Sequence, residues 1–120
     1  MTIALDHMSI PTTDNVATAE FYAQLFAGRY EGTRRDYAPV IVNDGLTLNF
    51  EHADPVEVRH YAYRMTPDEW QNVKDRLSAA AIPYGDSTRT SDGSIYERGG
   101  LKGFFFKDPN GHSVEIITHE

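Results

Sequence analysis

The chain writes one supersecondary pattern twice, and that repeat limits its fold more than any other feature. The order is strand, helix, strand, strand, strand, followed by the same order again. In the first copy a strand over residues 3–10 ends at Pro11. A helix follows, with Asp14 as N-cap, an apolar stripe of Phe21, Tyr22, Leu25 and Phe26, and Gly28 as its stop. Strands are expected over 30–37, 39–42 and 46–51, the last two joined by an Asn43-Asp44-Gly45 turn. Residues 52–58 carry Pro55 and two acids, Asp54 and Glu57, and read as a linker.

The second copy opens with a strand over 59–65. Thr66-Pro67-Asp68-Glu69 then combines an N-cap, a proline at the first helical position and the Glu of a capping box. Trp70, Val73, Leu77 and Ala81 form the stripe of that helix, which stops before Pro83. Residues 85–100, rich in Ser, Thr, Asp and Gly, read as a short strand plus a mobile loop. A strand over 103–106 enters a final hairpin through Asp108-Pro109-Asn110-Gly111.

The two copies register residue by residue. Asp6-His7-Met8-Ser9-Ile10 matches Arg59-His60-Tyr61-Ala62-Tyr63, and Gly45 to Phe50 matches Gly111 to Ile116. His7 and His60 are therefore equivalent, as are Asn49 and Glu115. The expected organisation is one domain over 1–120, with module one 1–53, linker 54–58 and module two 59–120.

Glu115 lies inside the apolar run Val114-Glu115-Ile116-Ile117, where an acid costs several kcal/mol unless it is paired or bound to a metal. Arg64 and Arg89 are candidate ion-pair partners. Modules pairing edge to edge would give an α+β fold: a curved mixed sheet with helices outside and an enclosed metal or substrate cavity. His7, His60, Glu115 and Asn49 would then converge. Two imidazoles and a carboxylate suit one divalent ion, Fe, Mn, Zn, Ni or Co, whereas an amide suits substrate contact. His52, His112 and His119 are weaker ligand candidates, and strand alternation puts His112 on the face opposite Glu115.

A net charge of −7 gives nucleic-acid binding no support, and Arg34-Arg35 reads as a solvated strand edge. The absence of cysteine excludes disulfides and thiolate sites. No apolar run approaches the roughly 20 residues of a membrane helix. No membrane partner and a cytoplasmic location are expected.

The early strand His, the mid-chain strand His and the terminal Phe105-Phe106-Lys107-Asp108-Pro109-Asn110-Gly111-His112-Ser113-Val114-Glu115-Ile116 resemble the vicinal oxygen chelate superfamily. That group holds glyoxalases, bleomycin-resistance proteins and extradiol dioxygenases, and the resemblance covers essentially the whole chain. It implies His7, His60 and Glu115 as ligands of an ion that chelates adjacent oxygens of a small substrate. Lyase, isomerase, dioxygenase and transferase chemistry all stay open. Glyoxalase I enzymes carry a fourth ligand where this chain has Asn49, so the pattern resembles the three-ligand members more. Tyr96 and Glu51 are the candidate catalytic residues, with Asn49, Arg64 and Arg98 as candidate substrate contacts. A homodimer is the expected assembly. The rival expectation is a metal-free protein binding a small molecule or antibiotic between aromatic walls, with Tyr61, Tyr96 and Phe104 as candidates.

Overall fold

The computed structural model describes residues 2–119. Its elements are β1 (His7–Thr12), α1 (Asn15–Leu25), β2 (Arg29–Tyr30), β3 (Tyr37–Asn43), β4 (Leu46–His52), β5 (His60–Arg64), α2 (Pro67–Ala79), β6 (Tyr84–Gly85), β7 (Tyr96–Arg98), β8 (Leu101–Lys107) and β9 (Ser113–His119). This is an α+β fold of two modules, and the chain divides into two compact units, Met1–Glu57 and Val58–Glu120.

In the first unit the strands hydrogen-bond in the order β1-β4-β3-β2, with β1 parallel to β4. Asp14 caps α1, its carboxylate accepting from the Ala17 N–H at 3.0 Å. One face of α1 then buries Tyr22 and Leu25 against the sheet, where the Tyr22 ring stacks on Phe50 at 5.1 Å. Asp44 and Gly45 make the β3–β4 turn, and the Asn43 side chain accepts from the Gly45 N–H at 2.8 Å.

In the second unit the order is β5-β9-β8-β6, with β7 also on β8. The Thr66–Glu69 capping box forms as expected, and α2 buries Trp70, Val73 and Leu77. The Trp70 indole N–H donates to the Ile116 carbonyl at 3.1 Å, anchoring the helix on β9. The repeat holds at the level of register: His7 lies opposite Thr47 and His60 opposite Ser113, so Ser9 meets Asn49 as Ala62 meets Glu115.

Four local expectations are corrected. The first strand is shifted to His7–Thr12 and runs through Pro11. β1 is an edge strand, bonded on one side only, where a proline without an N–H is tolerated. The strand expected over 30–37 shrinks to Arg29–Tyr30, because Gly32 at φ 105° and Arg35 at φ 54° break the extended backbone. Ala81 leaves the stripe of α2: it is exposed, beyond the helix, in a left-handed conformation at φ 57°. Residues 85–100 hold two short strand segments around a hydrogen-bonded turn, in which Thr90 Oγ1 donates to Asp86 Oδ1 at 2.8 Å.

Candidate functional site

The second unit brings His60 and Glu115 together. They stand on neighbouring parallel strands, β5 and β9, and their side chains share the face away from α2. His60 Nε2 lies 3.1 Å from Glu115 Oε1, with 17% of the Glu115 side chain exposed against 48% for His60. The acid that looked misplaced in an apolar strand thus has a partner, and neither Arg64 nor Arg89 supplies it.

The other carboxylate oxygen is held by Tyr96, whose hydroxyl donates to Glu115 Oε2 at 2.6 Å. Tyr96 reaches it from β7, across β8, because its pairing partner there is Gly103. A Cβ at residue 103 would fall 2.4 Å from both Cζ and Oη of Tyr96, so only glycine leaves the ring room to lie there. Sequence reasoning missed Gly103, although a glycine inside a strand is itself a sign of close approach. Phe105, opposite Glu115 in the β8–β9 ladder, closes the side of the site with its ring 5.8 Å from both His60 and Tyr96. Burial pushes the Tyr96 phenol up from its ordinary pKa. The hydrogen bond to Glu115 and that carboxylate's charge push the same way, and Arg98 opposes them. The Arg98 guanidinium sits 4.8 Å over the Tyr96 ring.

The remaining candidates fall elsewhere. Arg64 is exposed, with Nη1 3.4 Å from His119 Nε2. His7 belongs to the first unit, exposed on edge strand β1 with Nδ1 2.8 Å from Asp6 Oδ2. Asn49 lines a groove over the same unit's sheet, while Glu51 opens onto a separate hollow with Asn15 and Asp36. Among the described residues no three His, Asp or Glu side chains gather into one ligand set. His112 is fully buried on the opposite face, its Nδ1 accepting from the Arg59 N–H at 2.9 Å, a structural role. Phe104 is buried against Trp70, and Tyr61 packs edge-on against His112. Neither is a wall of this site; Phe105 takes that place.

What the residues present offer is a nitrogen and a carboxylate oxygen of the right kinds, aimed at one another. Two ligands of one ion, each about 2.1 Å from it and at right angles, lie about 3.0 Å apart. The observed 3.1 Å is the distance of a direct His–Glu hydrogen bond and also matches that spacing.

The chain has the fold of the vicinal oxygen chelate proteins, the glyoxalase, bleomycin-resistance and dioxygenase group. Two similar solved structures are titled oxidases. Oxidase ChaP-H2 is 27% identical at a TM-score of 0.88, the match covering 100% of this chain and 96% of that one. Oxidase ChaP-H1 is 25% identical at a TM-score of 0.86, covering 99% and 98%. A glyoxylase/bleomycin resistance protein/dioxygenase domain from Frankia sp. EAN1pec, 13% identical, covers both chains fully at a TM-score of 0.76 and shows the fold alone. No family model matches the chain, and no curated protein does.

Proposed function

We propose that the chain is a divalent-metal-dependent enzyme acting on a small substrate with adjacent oxygens, with His60, Glu115 and His7 as the protein ligands. The observation that carries this is the approach of His60 Nε2 to Glu115 Oε1, two donors of the right chemistry at ligand spacing. Likeness to two proteins titled oxidases favours oxidative chemistry over lyase, isomerase or transferase chemistry. The cytoplasm and a homodimer belong to the same proposal.

When bound, the ion would supply Lewis acidity, stabilising negative charge that develops on the substrate oxygens. The chain's own residues set the conditions. Tyr96 fixes the plane of the Glu115 carboxylate through Oε2. It keeps its proton at Oη around neutral pH, because burial and the neighbouring carboxylate both oppose ionisation. Its role is positioning. Phe105 bounds one side of the site, its ring 5.8 Å from that of His60. Asn49, Arg64 and Arg98 are proposed substrate contacts, and Glu51 a general base.

Elemental analysis of untagged protein tests the proposal. Wild-type protein is expected to hold one equivalent of a divalent metal. His7→Ala, His60→Ala and Glu115→Ala are expected to lose it while keeping a native circular dichroism spectrum. A wild-type protein that takes up no divalent ion at micromolar concentrations, or a fully loaded His60→Ala, overturns it in favour of metal-free binding. Sedimentation tests the dimer.

A further inference from the structure

We propose that the open sheet face of the first unit binds a small organic oxyanion, a carboxylate or phosphate ester on a flat apolar body, through Arg34 and Arg35. A groove of about 550 Å³ lies over this face, within the size range of small-molecule sites. Its floor holds Tyr37, Pro39 and Ile41, alternate residues of β3 that share one side of the strand, with the polar Thr47 and Asn49 of β4 beside them. At ~3.4 Å per residue the three β3 side chains form an apolar strip about 14 Å long, room for two or three fused rings.

Its rim is cationic in a chain of net charge −7. Arg29 is paired, its Nε 3.2 Å from Glu31 Oε1. Arg34 and Arg35 make no ion pair among the described residues, although the chain has 18 acids against 11 bases. Two adjacent guanidiniums left without a counter-charge beside an apolar strip are suited to a planar oxyanion, which arginine binds with two parallel hydrogen bonds.

The backbone points the same way. Arg34 and Tyr37 exchange backbone hydrogen bonds of 2.8 and 3.0 Å, closing a tight turn that holds Arg35 at φ 54°. Glycine would adopt that conformation without strain, yet arginine stands there. Arg34 and Arg35 are exposed, as a solvated edge would be, and they also line the rim of the groove. Asn49, a proposed substrate contact, lines the same groove, so the inference rests on that reading and names the headgroup such a substrate would carry; the residues it uses all lie within the first unit.

The test is calorimetric titration in the presence of EDTA, with 2-naphthoate, 2-naphthyl phosphate and the neutral 2-naphthylmethanol. At least one anion is expected to saturate a single site, weaken as salt is added, and bind about tenfold or more tightly than the alcohol. Which anion binds more tightly identifies the headgroup. The Arg34→Gln/Arg35→Gln double variant is expected to lose that preference while staying folded. Arg35→Gly is expected to weaken anion binding while unfolding at higher urea, since it removes both guanidinium and strain. Equal affinity for the alcohol, a double variant as tight as wild type, or no saturable anion binding at millimolar concentration overturns the proposal. Because EDTA is present throughout, failure of the metal proposal leaves this result readable.

Discussion

Gly103 decides whether Tyr96 can touch Glu115. A methyl group there would stand 2.4 Å from the phenol, and the ring would have to swing away from the carboxylate. Gly103→Ala and Tyr96→Phe are therefore expected to weaken metal binding alike, by about 10–100-fold, the usual cost of losing a group that orients a ligand. Metal titration followed by competition with a chelator measures it; wild-type affinity in Gly103→Ala would rule out the Tyr96 contact as an orienting one. Strand alternation together with the equivalence of the two copies was enough to expect His60 and Glu115 on inward faces; that they meet depends on the pairing of β5 with β9. Tyr96 could be singled out only as a loop candidate. Its actual partner depends on how β7 lies across β8, a long-range pairing that no local pattern encodes.

The repeat extends to how the helices end. Ala27 at φ 52° and Ala81 at φ 57° both sit in the left-handed conformation just past a helix. In each case the next N–H reaches back at 2.9 Å, Gly28 to Ala23 O and Ile82 to Leu77 O. Glycine is the usual residue in that place because a Cβ is strained there. Ala27→Gly and Ala81→Gly are each expected to stabilise the protein by about 0.5–1 kcal/mol, read from urea unfolding midpoints. A lowered midpoint in both would show that the alanine methyls contribute packing that outweighs the strain. Gly28 looked like the left-handed stop, yet it serves a different need: a Cβ there would lie 3.0 Å from Ile41 O and Val40 Cγ1. Helix starts were legible because capping is chemistry between near neighbours, Asp14 with Ala17 and Thr66 with Glu69. Helix ends were less so, since the residue that turns left-handed is chosen partly by what the following strand packs against.

For the molecule as a whole, three tyrosines of the second unit set its response to alkali. Burial raises Tyr61, Tyr63 and Tyr96 above their ordinary pKa near 10, and neighbouring negative or phenolic groups add to the effect at Tyr63 and Tyr96. The folded state then holds protons that the unfolded chain has released. Their contribution is complete below pH 10 and is lost as pH rises above it. Urea unfolding at pH 9, 10 and 11 is expected to show falling stability across that range, with a shallower fall in Tyr63→Phe. A flat profile would mean that these phenols ionise as freely folded as unfolded. No helix among the described residues is long and apolar enough to cross a membrane.

Periodicity, capping and turn chemistry are local properties, and through them the sequence by itself determined two βαβββ modules and the equivalence of His7 with His60 and of Asn49 with Glu115. Only the tertiary structure decided that Tyr96 holds the second oxygen of Glu115, that Gly103 makes room for it, and that the exposed Arg34 and Arg35 rim a groove. Each of those depends on residues distant in the chain coming within a few ångströms, which packing brings about and nearest-neighbour patterns do not record.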